Sequence, residues 1–290
     1  MKTSFVLGIV LSTLVGCSGS GGESGGAGGE AGSTSSSGGG GAGGEAGSSS
    51  GGGGAGGSGG STTSMGTTAS PLYTEENVSF EAADGVTIAG TFVKDIATSN
   101  AAPAVLLVHQ FGGDRSQWMG YHYGLADEGY QVLTIDLRGH GESDPYSGNL
   151  NDLLTDPAGA PLDVDAALVF LASRQAADPP RIAIVGTSIG ANLTVVSAIQ
   201  SEATTFVAVS PRIPPVEALA GAQAQGMASV FYLASEDDAG GQAADCQTLF
   251  DATAEPRKVT IFPGADHGKD LLANQPEAWV EVRAWLKDNL

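Results

Sequence analysis

Arg181-Ile182-Ala183-Ile184-Val185-Gly186-Thr187-Ser188-Ile189-Gly190-Ala191 is the stretch on which the reading of the chain turns. Its first part, Arg181–Val185, is a continuous apolar run of the kind that suits a strand buried on both faces of a parallel sheet. From Ala191 to Gln200 the composition suits a helix. Between them Ser188 is flanked by glycines two positions before and two positions after. In a strand-to-helix elbow such glycines let the backbone turn tightly, so that the serine hydroxyl projects at the carboxyl edge of the sheet. The helix that follows aims its first N–H groups at negative charge developing beside it. A five-residue pattern of this kind arises easily by chance in a glycine-rich chain; its position directly after a buried strand gives it weight.

Working outward, Asn77–Ala82, Asp84-Gly85 and Val86–Val93 read as a hairpin around a glycine-containing turn. Ala104–Val108 and Gln131–Ile135 read as further buried strands, with a helix over Ser116–Glu128 between them. Leu162–Ser173 has helical apolar spacing, with Asp163 and Asp165 in its first turn. Phe206–Val209, Val230–Leu233 and Lys258–Phe262 are strand-like, and Ala243–Asp251 and Glu277–Leu286 are helical. A hairpin followed by repeated strand–helix alternation predicts an α/β fold: a mostly parallel central sheet with helices on both faces.

A serine hydroxyl is a weak nucleophile and needs a histidine to take its proton and an acid to orient that histidine. Of the four histidines (His109, His122, His140 and His267), only His267 lies downstream of Ser188, in the loop after the last strand. The acid is expected after the strand Val230–Leu233, where Glu236, Asp237 and Asp238 stand in a row. Asp238 is the first choice by its spacing from the strand end, then Asp237, then Glu236.

With these residues in view, segment 71–290 resembles a serine α/β-hydrolase, nearer the dienelactone-hydrolase-like and small-esterase branch. Val108-His109-Gln110-Phe111-Gly112-Gly113 resembles that family's oxyanion loop, and Asp136-Leu137-Arg138-Gly139-His140-Gly141-Glu142-Ser143 its loop after the next strand. The resemblance implies an α/β-hydrolase fold, a catalytic set of Ser188, Asp238 and His267, and an oxyanion hole formed by the backbone N–H groups of Phe111 and Ile189. It implies structural loop roles for His109 and His140. Gln110 departs from the glycine common after that histidine, which predicts a narrower hole or an added polar contact. The dienelactone branch uses a cysteine nucleophile where Ser188 stands; Cys246, in the helix after the acid loop, reads as a small buried residue. An aspartate nucleophile, as in haloalkane dehalogenases, is excluded by Ser188. Only Ser210–Ser229 separates two strands where relatives insert a lid, so a minimal cap is expected, its entry stiffened by Pro211, Pro214 and Pro215.

Composition narrows the field. The chain has 290 residues, a formal net charge of -20, and 12 Lys and Arg against 32 Asp and Glu, which argues against a nucleic-acid partner. Two cysteines, Cys17 and Cys246, supply neither a disulfide framework nor a four-thiolate zinc site. Neither a metal nor an organic cofactor is called for. Lys2, the apolar run Phe5–Val15 and the ending Leu14-Val15-Gly16-Cys17 read as an export signal over residues 1–17. That ending resembles the bacterial lipoprotein signal, which implies lipidation of Cys17 and attachment to a membrane; Ser18 resembles the default sorting to the outer membrane. Residues 18–70 hold 24 of the 45 glycines and a near-repeat, Ser35–Gly47 and Ser48–Gly60. Such a chain buries too little apolar area to order itself and reads as a flexible spacer with a reach of roughly 40 Å.

The function expected is a membrane-tethered serine hydrolase acting on a small-molecule carboxylic ester, with no cofactor. A peptidase, amidase or lactonase would use the same residues. The competing reading of another class is a hydrolase scaffold kept as a surface binding module. The sequence leaves the oligomeric state open.

Overall fold

Strands β1 (Tyr73–Glu81) and β2 (Thr87–Asp95) form the opening hairpin, and β3 (Ala104–Val108), β4 (Gln131–Ile135), β5 (Ile182–Thr187), β6 (Thr205–Val209), β7 (Ala228–Ser235) and β8 (Ala254–Phe262) follow. The computed structural model describes residues 72–177 and 179–290; the expectations for residues 1–17, with Cys17, and for residues 18–70 fall outside them. The strands join in one sheet in the order β1-β2-β4-β3-β5-β6-β7-β8. The pairs β1–β2 and β2–β4 are antiparallel and all others parallel. This is the α/β architecture the sequence predicts.

The apolar runs form central strands because both their faces are covered. Ala104, Leu106 and Val108 of β3 enter one core, and Val105 and Leu107 the other. All five are fully buried, and each Val or Leu so placed contributes about 1.5–3 kcal/mol. Helices α1 (Tyr121–Asp127), α2 (Ala160–Arg174), α3 (Ile189–Gln200), α4 (Ile213–Ala220), α5 (Gln242–Ala252), α6 (Lys269–Asn274) and α7 (Pro276–Asn289) supply the cover. Apolar residues of α2, α3, α4 and α5 pack in the first core, and those of α1, α6 and α7 in the second. From β3 the chain moves outward to β4 and then returns to β5 on the opposite side of β3. In open α/β sheets the crevice at the carboxyl ends of two such strands is where ligands bind.

The helix read over Ser116–Glu128 is two pieces. A 3-10 turn spans Arg115–Trp118 and α1 begins at Tyr121. The Trp118 carbonyl accepts from His122 Nδ1 at 2.8 Å rather than from a helical N–H, and Gly120 between the pieces has a φ of 88°. Helices α4 and α6, together with a 3-10 turn over Leu150–Leu154, were not anticipated from the sequence. Strand β5 runs two residues beyond Val185, through Gly186 and Thr187, to the serine itself.

The first turn of α3 lies against the end of β3. A Cβ on Gly190 would stand 2.3 Å from the Val108 carbonyl oxygen, and one on Gly186 would stand 2.1 Å from that of Gly190. Both obstacles are backbone, which cannot swing aside. Gly190→Ala is expected to lower unfolding stability by about 3 kcal/mol or more. Gly124→Ala, in α1 with nothing within 4 Å of the added methyl, should be neutral or stabilising by about 0.5–1 kcal/mol. Urea unfolding midpoints of the two variants check the contrast.

Candidate active site

Ser188 follows β5 in a conformation that a residue with a side chain rarely adopts, φ 54° and ψ -114°. Such a residue costs of order 1–3 kcal/mol and persists because its surroundings hold it. Its N–H donates to the Val209 carbonyl at 2.9 Å, and its own carbonyl accepts from Asn192 N–H at 2.9 Å.

Three side chains from three loops meet at this elbow. His267 Nε2 lies 2.9 Å from Ser188 Oγ, and His267 Nδ1 lies 2.8 Å from Asp238 Oδ2 and 3.1 Å from Oδ1. Since a carboxylate can only accept, the ring proton sits on Nδ1 and the Nε2 lone pair faces the hydroxyl. Asp238 is 7% exposed, whereas Glu236 and Asp237 point to solvent. The backbone explains the split. Glu236 N–H donates to the Phe262 carbonyl and Asp237 N–H to that of Gly264, which carries the loop along β8 until the third residue turns inward. The His267 side chain is 39% exposed, so the site opens to water.

Gln110 to Gly113 forms a turn closed by Gly113 N–H on the Gln110 carbonyl at 3.0 Å. The Phe111 N–H inside that turn donates to no protein acceptor among the described residues. Ile189 opens α3, where N–H groups have no intrahelical acceptor. These two donors belong to neighbouring segments, because the Gly190 Cβ position is 2.8 Å from the His109 carbonyl oxygen.

His109 and His140 bracket the turn from behind. His109 Nδ1–H donates to the Gln110 carbonyl at 2.7 Å, and its Nε2 accepts from Leu137 N–H at 3.0 Å. His140 Nδ1–H donates to the Arg138 carbonyl at 3.1 Å, and its Nε2 accepts from Gly112 N–H at 3.1 Å. Each ring therefore works as a neutral donor–acceptor pair. Burial pushes His109 down to about 4. Arg138 stands beneath, bonded to fully buried Asp163 at 2.7 Å and to Asp84 at 2.6 Å. Burial holds the Asp163 carboxyl up at about 6 in spite of that partner.

Three polar groups support the site, of which sequence reasoning singled out Gln110 and missed Gln117 and Ser210. Gln110 Oε1 accepts from Lys269 N–H at 3.0 Å, Gln117 binds both Gln110 N–H and Thr187 Oγ1, and Ser210 Oγ accepts from Gly268 N–H at 3.0 Å. Gln110 stood out as a departure from glycine; the others gave no signal. Cys246 is buried in α5 with its Sγ 3.7 Å from the Leu233 carbonyl, and burial pushes its thiol far up. A cavity of about 190 Å³ adjoins the Gln110–Gly113 turn and Lys269. A larger one of about 320 Å³, around Arg115 and Glu142, is lined by none of Ser188, Asp238 and His267. Among the described residues no group of His, Cys, Asp and Glu is arranged to hold a metal ion.

Comparison with known proteins agrees with this architecture. A family model described as the alpha/beta hydrolase fold matches residues 103–259. An uncharacterized protein of Mycobacterium tuberculosis is 28% identical over 232 residues, covering 72% of this chain and 76% of that relative. An acetyl xylan esterase from Paenibacillus sp. R4 superposes with a TM-score of 0.61 at 21% identity, over 76% of this chain and 85% of that one. The Pyrococcus furiosus esterase Pf2001 does so with a TM-score of 0.59 at 18% identity, over 75% and 93%. At these identities the structural likeness is one of fold.

The neutral His109 makes a pH prediction. Its ring takes up a proton near 6.5 in the unfolded chain and near 4 in the folded one. The unfolded state therefore binds more protons in that interval, and this histidine's contribution to stability is lost as pH falls from about 6.5 to about 4. The stability of the wild type relative to His109→Gln should drop by on the order of 3 kcal/mol across that interval in urea titrations. Comparing the two proteins cancels the opposing effect of Asp163.

Proposed function

Because the chain belongs to the alpha/beta hydrolase family, we propose that it is a serine hydrolase that cleaves carboxylic esters through an acyl-enzyme. The observation that carries this is the continuous chain of hydrogen bonds from Ser188 Oγ through His267 to buried Asp238. His267 Nε2 takes the Ser188 proton as Oγ attacks the ester carbon. Asp238 keeps the other ring proton on Nδ1 and stabilises the imidazolium that forms. The N–H groups of Phe111 and Ile189 bind the oxygen of the tetrahedral intermediate, where the charge is larger than in the ground state. The intermediate collapses, the leaving alcohol takes the proton from His267, and the acyl group remains on Oγ. Water, deprotonated by His267, then attacks the acyl carbon, and the acid leaves as Ser188 regains its proton.

Open access to His267 and the short segment between β6 and β7, which holds only α4 and its turns, favour the small-esterase side of the family over lidded members. Esterases among the structural neighbours support a hydrolase reading. On the same reading the enzyme is exported, and acyl chains on Cys17 hold it to a membrane, with residues 18–70 as the tether.

Two measurements test this. A fluorophosphonate should add once to the purified protein by intact mass and leave Ser188→Ala unmodified; a folded wild type that takes up no label favours a binding module. Asp238→Asn should lower kcat for a chromogenic ester by about 10⁴-fold, as loss of the orienting acid does elsewhere, with Asp237→Asn within about twofold of wild type. For the anchor, Cys17→Ala should move the protein from the membrane pellet to the soluble fraction of a bacterial host; a variant still in the pellet would refute lipidation there.

A further inference from the structure

The loops that bring the reacting groups together leave the sheet separately, so something must fix their mutual distance. Ser188 follows β5, Phe111 follows β3 and His267 follows β8. A line of side-chain amides crosses behind all three. Thr187 Oγ1, one residue before Ser188, accepts from Gln117 Nε2 at 2.8 Å. Gln117 Oε1 accepts at 3.0 Å from the N–H of Gln110, one residue before Phe111. Gln110 Oε1 accepts at 3.0 Å from the N–H of Lys269, two residues after His267.

Both amide orientations are forced, since a backbone N–H can only donate and so selects the oxygen of each glutamine. Lys269 is also the first residue of α6, where an N–H has no helical acceptor, so Gln110 supplies the one it lacks. The seat is tight. A Cβ on Gly268 would lie 2.5 Å from Gln110 Oε1, and Gly268 has a φ of 56°. The glutamine oxygen thus fills the space that a side chain at Gly268 would need.

We propose that Gln110 and Gln117 are positioning residues, a two-amide relay that sets the distances between nucleophile, oxyanion donors and histidine. The proposal rests on the assignment of Ser188, Asp238 and His267 as the catalytic set. The relay touches no reacting atom. It acts on rate because effective attack needs Ser188 Oγ, its base and the oxyanion donors in register, and a displacement of about 1 Å costs on the order of 10²-fold.

The test uses the full-length protein, a fluorophosphonate probe and p-nitrophenyl acetate. Gln110→Met and Gln117→Met keep the side-chain volume and remove the amides. Each is expected to slow labelling and lower kcat by roughly ten- to a hundredfold, with KM and the thermal midpoint close to wild type. The double variant should be no slower than the worse single one, since either change breaks the same relay. Should Gln117→Met fail to fold, Thr187→Val removes the far acceptor with little change of shape and should give the same loss in kcat. Singles within about twofold of wild type, a loss carried by KM, or multiplicative effects in the double variant would each overturn the relay. Rapid labelling of wild type and Gln110→Met alike refutes the relay and leaves the serine hydrolase standing. A folded wild type that takes no label overturns both.

Discussion

The close approach of the first turn of α3 to the end of β3 is the constraint on which the site depends. With Val108 paired to Gly186 in the sheet and the Gly190 backbone pressed on the Val108 carbonyl, no room remains for a gradual turn into the helix. Ser188 is forced to a positive φ, and that strain turns its hydroxyl out of the core toward His267. The same contact sets the start of α3 beside the Gln110–Gly113 turn. Remove it, and Ile189 N–H and Phe111 N–H no longer belong to one locale. A packing requirement between backbones thus becomes a chemical arrangement.

Behind the reacting groups, polar side chains hold the loops where apolar packing cannot reach. Asp136 accepts from the N–H groups of Arg115 and Glu142 and pairs with the Arg115 guanidinium, which also reaches Glu142. Arg138 joins the loop after β4 to α2 through Asp163 and to the hairpin turn through Asp84. A buried ion pair of this kind is weak evidence of net stability, but loss of either partner strands the other in a dry interior. Its effect here is geometric. Asp163, read from sequence as a first-turn charge that favours its helix, is a fully buried post beneath His140's loop.

Strands were legible because each central one is buried on both faces and so is written as an unbroken apolar run, as in Ala104–Val108. The elbow was legible because two glycines at fixed spacing answer a steric demand. Spacing from the strand read over Val230–Leu233 ranked Asp238 ahead of Asp237 and Glu236 without deciding among them, and the structure buries the Asp238 carboxylate against His267. The break in Ser116–Glu128 was not legible, since it depends on the His122 ring competing for one carbonyl, which periodicity does not encode. Pro214 and Pro215 read as stiffeners, and they fall in the first turn of α4, where a missing N–H costs nothing. The departure at Gln110 was visible, but its partner is Lys269, 159 residues away, and no local pattern carries that distance.

The root of the segment between β6 and β7 is fastened before it reaches α4. Ser210 N–H donates to the Leu233 carbonyl while Ser210 Oγ holds Gly268 N–H; Arg212 N–H is bound by Asn192, and Asp245 receives both Arg212 Nε and Ile213 N–H. At the far end, Gly221 closes α4 in a left-handed conformation and Gly226 precedes buried Met227. The chain between those glycines is thereby insulated from the histidine's support. It lies at the amino end of β7, where Gln200 of the last turn of α3 donates to the Ala220 carbonyl, so changes in its length fall on the edge of the sheet opposite the elbow and leave the machinery there with its dimensions.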